Sequence, residues 1–160
     1  MRVLIAAVGR LKDGAERELY VRYTDRLAAM SRQVALGPVE LTELAESRSG
    51  SAAERMADEA ARLLKAAAQA EVLVALHENG RSLASVEFSE FLRGHRDQGR
   101  QRLAFLIGGP DGHGPEALQS AKLKLSLGAM TLPHGLARVV LAEQLYRAAT
   151  IINGHPYHRA

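Results

Sequence analysis

Residues 103–114 read LAFLIGGPDGHG: five apolar residues in unbroken succession, then four glycines among seven positions. So short and continuous an apolar run marks a strand buried on both faces, the habit of parallel sheets. The glycines that follow allow positive φ and let the backbone approach a ligand closely. A nucleotide-triphosphate cradle does not fit, because the loop lacks the Lys-Ser/Thr of a P-loop and its spacing is not GxGxxG. A tight turn holding no ligand is the other reading of the same glycines.

Similar runs lie on either side. Residues 3–8 (VLIAAV) and 72–76 (VLVAL) are continuous, and a fourth run, 125–132 (LSLGAMTL), stands further on. A weaker alternation of Val34, Leu36, Val39 and Leu41 is broken by Gly37-Pro38, which suits an edge strand. Helical periods fill the gaps. After Asp13-Gly14, Ala15, Leu19, Tyr23, Leu27 and Met30 recur at three- and four-residue steps. Ser51-Ala-Ala-Glu54 is a capping box opening an Ala-rich helix with Met56, Ala60, Leu63, Leu64 and Ala67 on one face. Ser85 is positioned to cap a third helix, carrying Val86, Phe88, Phe91 and Leu92 and ending near Gly94. Gly114-Pro115 reads as cap and first residue of a fourth. A last helix is expected from about Gly135 to Ile152. Strands alternating with helices predict an α/β fold with a mostly parallel sheet, in one domain over residues 1–160. The small polar segment 45–53 (AESRSGSAA) is the candidate mobile loop.

Composition narrows the chemistry. With 160 residues, 47% hydrophobic and 24% charged, the chain has the balance of a soluble globular protein rather than a disordered one. It has no cysteine, which excludes disulfides, zinc–thiolate sites, iron–sulfur clusters and a thiol nucleophile. The apolar opening is too short for a signal peptide or membrane span, so a cytoplasmic protein without a membrane partner is expected. Net charge is only +3, mostly carried by arginine, and says little about partners by itself. Three expected strand ends carry the chemistry-bearing residues: His77-Glu78-Asn79-Gly80-Arg81, the glycine loop, and Pro133-His134-Gly135. In open parallel sheets, ligands bind beyond such carboxyl ends. Residues 155–159 (HPYHR) combine groups that stack on bases and contact phosphate. His155 and His158 have no carboxylate companions, so no metal site is expected.

Taken together, the chain resembles the ribosomal large subunit methyltransferase H family of the SPOUT superfamily, S-adenosylmethionine-dependent RNA methyltransferases. The resemblance rests on Val8-Gly9; Leu76 followed by Gly80 and Ser82; residues 106–112 (LIGGPDG); residues 127–134 (LGAMTLPH); Arg138; residues 143–148 (EQLYRA); and the terminal HPYHR. Gly135 stands where the family often has Pro, and Gly154 extends the usual Asn-His-Pro. The resemblance implies a C-terminal trefoil knot, an exception to the rule that chains stay unthreaded. It further implies a homodimer and methylation at N3 of a pseudouridine in helix 69 of 23S ribosomal RNA.

On that resemblance, Leu76, Gly108, Gly109, Gly128, Ala129, Met130, Thr131, Leu132 and Pro133 are expected to bind S-adenosylmethionine. His134 is the expected base or base-positioning group, since imidazole exchanges protons near neutral pH. Arg138, Tyr157, His158 and Arg159 are expected to hold RNA, presented by the assembled ribosome. Glu143 and Arg147, four apart on a helix, are expected to form a plain surface ion pair or a dimer contact. Two rival readings remain at this point: a ribosome-binding assembly factor of the same fold without catalysis, and a nucleotide-binding enzyme on a conventional Rossmann sheet. The second lacks its glycine fingerprint, since the first turn reads Val8-Gly9-Arg10-Leu11-Lys12-Asp13-Gly14.

Overall fold

The computed structural model describes residues 1–159; Ala160, the end of the expected domain, lies outside them. Five strands, β1 (Arg2–Val8), β2 (Val39–Leu44), β3 (Val72–Ser82), β4 (Arg102–Ile107) and β5 (Leu123–Ser126), alternate with α1 (Ala15–Val34), α2 (Ala52–Ala66), α3 (Ser85–Asp97), α4 (Pro115–Ser120) and α5 (His134–Ile152). The strands form one sheet in the order β2-β1-β4-β3-β5. Every neighbouring pair is parallel, as the continuous apolar runs predict. Alternate residues of each strand serve opposite faces. Val3, Ile5 and Phe105 join Tyr20, Leu27, Phe88, Leu92, Leu141 and Leu145 under α1, α3 and α5. Ala6, Val8, Ala104 and Leu106 meet Ala60, Leu63 and Ala117 under α2 and α4. The result is three layers with the sheet in the middle.

Several expected boundaries shift for identifiable reasons. The run 125–132 is strand only as far as Ser126. There the Ser126 hydroxyl accepts the Gly128 N–H at 3.2 Å and donates to the Gly128 carbonyl at 3.1 Å, a side-chain turn that ends pairing. Gly128 then takes φ 134°, a conformation in which a side chain would be strained. Val34 ends α1 rather than starting a strand, because Ala35 turns left-handed at φ 50° and closes the helix. The strand proper begins at Val39 and lies at the sheet edge, as Gly37-Pro38 predicts. The α2 capping box is present: Ser51 Oγ accepts the Glu54 N–H at 3.2 Å and Glu54 Oε2 accepts the Ser51 N–H at 3.0 Å. The α3 cap falls one residue early, at Ala84, whose N–H donates to Glu87 Oε2 at 2.8 Å. Ser85 is drawn away from capping by Gln144 of α5, to which its hydroxyl donates at 2.8 Å. The helix also continues past Gly94 to Asp97. No helix among the described residues is long and apolar enough to cross a membrane.

One buried cation ties the layers together. Arg138, in the first turns of α5, is 1% exposed. Its guanidinium donates to Glu43 Oε2 at 2.8 Å and to the carbonyls of Val8 and Gly9 at 2.9 and 2.8 Å. Those carbonyls end β1 and have no further strand residue to pair with. Burial pushes the Arg138 pKa down and the Glu43 carboxylate pulls it back up. Arg138→Met would leave Glu43 half-buried without its counter-charge, and should lower stability by about 3–5 kcal/mol. Equilibrium urea unfolding reads this as a lower midpoint.

Candidate functional site

The sheet splits where its strands end. β3 pairs with β4 only as far as Ala75 opposite Leu106. It pairs with β5 at Leu76 opposite Leu125, loops outward through residues 77–80, and pairs again at Arg81 opposite the same Leu125. The opening beyond β3, β4 and β5 is a cavity of about 340 Å³, bounded by Leu76 and His77, the loop from Gly108 to His113, the segment from Leu127 to Leu132, and His134 with Ala137 at the start of α5. Volume and position suit a small-molecule site.

The structure brings most of the expected site residues to this one place. Leu76, Gly108, Gly109, Gly128, Ala129, Met130, Thr131, Leu132 and His134 all line the cavity. Pro133 does not; it is the N-cap of α5. Met130 is 85% exposed, an apolar side chain with nothing over it on the cavity lip.

The glycine loop is shaped from below by α2. Gly109 and Gly112 form a bridge, with the Gly112 N–H donating to the Gly109 carbonyl at 2.9 Å. A Cβ on Gly109 would sit 2.5 Å from Glu59 Oε2 and 3.1 Å from Val8 Cγ1, so any side chain there would displace the buried Glu59 carboxylate. Glu59 is itself buried, and its other oxygen accepts the Ser47 N–H at 2.8 Å. One turn earlier, Arg55 grips Asp111 at 2.7 and 3.3 Å and donates to the Ser49 carbonyl at 3.3 Å. Asp111 is held below the usual carboxylate range by that hydrogen bond from Arg55.

The RNA-holding expectations fare differently. Arg138 is a correction: its guanidinium is committed inside the protein and presents no cation to a phosphate. Tyr157 and His158 are half-buried and Arg159 is exposed. The Tyr157 hydroxyl donates to Glu143 Oε1 at 3.0 Å, its ring lies 4.8 Å from that of Tyr146, and Arg147 lies 4.8 Å over its face. Glu143 and Arg147 therefore do more than form a surface pair; they anchor the tail. Burial and the Glu143 carboxylate push the Tyr157 phenol up, keeping it a neutral donor. The chain turns back after α5 so that Tyr157 lies beside Glu143 and Arg147, near the middle of that helix, and none of residues 153–159 lines the cavity of its own chain.

His113 is a cavity residue that sequence reasoning gave no role. It is buried at 9% exposure, with Nε2 3.1 Å from the Leu106 carbonyl and Nδ1 lacking a partner. The contact with Leu106 defines Nε2 as the protonated nitrogen. Burial lowers its pKa below the ordinary 6.5, against a smaller opposing pull from the Leu106 carbonyl. An unfolded chain therefore binds this proton more readily than the folded one. The stability carried by neutral His113 is complete above about pH 6.5 and is lost as pH falls toward the lowered value. His113→Leu should flatten the decline in melting temperature between about pH 7 and 5 relative to the parent. His95, also lowered by burial, contributes equally to both proteins and cancels in that comparison.

Comparison with known proteins agrees with this geometry. Residues 1–158 match the family model described as "Predicted SPOUT methyltransferase". The chain is 48% identical to the ribosomal RNA large subunit methyltransferase H of Rhodopseudomonas palustris (strain BisA53) over 160 residues, covering 100% of both chains. Identity is also 48% to the protein of that name from Xanthobacter autotrophicus (strain ATCC BAA-1158 / Py2), again over 100% of both. Among solved structures, a probable methylase family protein from Haemophilus influenzae Rd KW20 superposes with a TM-score of 0.52, covering 99% of this chain and 70% of the other. Its 13% identity speaks for the fold alone. By full-length match and by fold, the chain belongs to the SPOUT methyltransferases, in the ribosomal RNA large subunit methyltransferase H family.

Proposed function

We propose that the protein is an S-adenosylmethionine-dependent methyltransferase acting on 23S ribosomal RNA, at N3 of a pseudouridine in helix 69. The observation that carries this reading is the glycine-walled cavity at the ends of three adjacent parallel strands. The relatives named ribosomal RNA large subunit methyltransferase H supply the substrate class. The residues present fit the cofactor: glycine backbone at Gly108, Gly109, Gly112 and Gly128 and apolar surface at Leu76, Met130 and Leu132 line one cavity and suit an adenosyl group. When bound, S-adenosylmethionine supplies an electrophilic methyl carbon.

The chain supplies alignment and a route for one proton. Gly108, Gly109 and the segment 128–132 present main-chain amides and carbonyls to the adenine. Neutral imide nitrogen is a weak nucleophile until its proton leaves. His134, exposed on the cavity lip, takes or positions the acceptor of that proton. Tyr157, His158 and Arg159 bind RNA for the cavity of a second copy, since none of them lines the cavity of its own chain. The active form is thus a homodimer, with the knot of this superfamily fixing each single-domain chain. The enzyme works in the cytoplasm, and the assembled ribosome presents the target loop.

Isothermal calorimetry should show S-adenosylmethionine binding once per chain. No heat would instead favour an assembly factor without catalysis. Gly109→Ala should weaken binding at least about tenfold, equivalent to about 1.4 kcal/mol. His134→Ala should slow single-turnover methylation by about 10²-fold or more at unchanged cofactor affinity; a full rate would remove His134 from the mechanism. Tyr157→Ala and Arg159→Ala should impair methylation far more than cofactor binding, and an equal loss of both would count against the division of labour.

A further inference from the structure

Two short segments at the carboxyl end of the sheet are anchored by neighbouring elements, and both carry exposed cations. The turn after β1 is held at each residue that faces inward. The Gly9 N–H donates to the Leu44 carbonyl at 2.7 Å, and the Gly9 carbonyl accepts from Arg138 at 2.8 Å. The Leu11 N–H donates to Glu43 Oε2 at 2.5 Å, while the Leu11 side chain is buried. Arg10 and Lys12, on either side of Leu11, are exposed. The loop after β2 is pinned by three side chains of α2. Arg62 donates to the Ala45 carbonyl at 2.7 Å, Glu59 accepts the Ser47 N–H at 2.8 Å, and Arg55 donates to the Ser49 carbonyl at 3.3 Å. Arg48 stands exposed between the last two anchors.

Among the described residues, none of Arg10, Lys12 and Arg48 pairs with a carboxylate, whereas Arg55, Arg62 and Arg138 are all engaged inside the protein. β1 and β2 are adjacent and in parallel register through Val8 and Leu44, so the two segments leave the sheet side by side, about 4.8 Å apart at their start. β1 is also next to β4, whose glycine loop walls the cavity. Arg55 holds that wall at Asp111 and the Arg48 loop at Ser49 with one guanidinium.

We propose that Arg10, Lys12 and Arg48 form a phosphate-gripping rim that positions the RNA backbone beside the methyl-donor cavity. This rests on the RNA-methyltransferase reading above and names a second contact surface for its substrate, separate from the tail. Phosphate contacts of this kind fix the placement of the nucleic acid without reading sequence, and the arginine fork suits phosphate oxygens. RNA is favoured over an acidic protein because the two segments leave the sheet beside β4, whose glycine loop walls the cavity where the target base must arrive. Glu46, exposed within the same loop, turns Oε1 to 3.8 Å from where a Gly9 Cβ would lie and opposes the cations.

The test measures binding of 23S ribosomal RNA within large-subunit particles across a salt series, for the full chain and for R10A/K12A/R48A. The three side chains make no internal bonds in the structure, so the fold should survive. The variant should bind at least about tenfold more weakly at low salt, and the slope of log K against log salt should fall by about two to three, near 0.7–0.9 per lost phosphate contact. S-adenosylmethionine affinity by calorimetry should not change. Glu46→Gln should shift RNA affinity the other way. Unchanged RNA affinity and salt slope in the triple variant would overturn the rim. Failure of the underlying reading looks different: the parent protein itself would give no cofactor heat and no methyl transfer. The parent-to-variant difference in RNA binding would still decide the rim in that event.

Discussion

The fold depends on how a parallel sheet deals with strand ends. Each strand that stops leaves carbonyls without a neighbour, and here the end of β1 is answered by a guanidinium from α5, nearly the whole chain away in sequence. The pairing of Arg138 with Glu43 is a poor source of net stability, since desolvating both ions costs about as much as their attraction returns. Its value is in specificity. Only one placement of α5 satisfies the Val8 and Gly9 carbonyls and Glu43 at once. That placement sets where His134, four residues earlier on the same helix, meets the cavity. The same contacts fix the turn bearing Arg10 and Lys12, so one buried cation orients both the cavity's edge and its exposed cationic neighbour.

On the opposite face, α2 does comparable work with side chains at 55, 59 and 62, a spacing that keeps them on one face of the helix. Each holds backbone of the loop after β2, and two also shape the glycine loop, Arg55 through Asp111 and Glu59 through close approach to Gly109. The cavity wall and the loop beside it are consequently one mechanical unit. Segment 45–53, small and polar in composition, has the look of a loose connector in the sequence, yet its backbone from Ala45 to Ser49 is bonded at three points. Composition describes the side chains a loop brings; it is blind to the anchors that other elements supply.

The same limit separates what was legible from what was not. Strands β1, β3 and β4 were readable because burial on both faces imposes unbroken apolar runs, and the α2 start was readable because a capping box is local chemistry between Ser51 and Glu54. The edge position of β2 followed from Gly37-Pro38. Residues 127–132 misled as strand because their apolar character serves a cavity lining rather than a sheet, as the exposure of Met130 shows. Nine of the cavity-lining residues, among them Leu76, Gly109 and His134, are legible as site residues through family resemblance, which carries information that no period contains. Arg138 was misplaced as an RNA contact because a cation on a helix gives no local sign of burial; its partners lie about a hundred residues distant. His113 was passed over for the converse reason, since its seat beneath the glycine loop exists only when β4 and the split sheet have formed.

The tail poses the sharpest constraint on how the molecule works. Tyr157 is held against Tyr146 and Arg147 and bonded to Glu143, all on α5, so the helix carries the tail as a rigid extension. Glu143 lies nine residues past His134, so the docked Tyr157 stands about 14 Å along the helix from the cavity lip. Moving the tail onto that lip would surrender the Glu143 bond and both ring contacts. If tail and cavity act on one substrate, either the RNA bridges the distance or a second chain brings its tail near. The tertiary anchoring is sensible under both geometries, because a preformed tail loses less conformational entropy on meeting its ligand than a free one. A second chain has the further merit of bringing tail and cavity together on the short span of one nucleotide, where methyl transfer needs reacting atoms held in line.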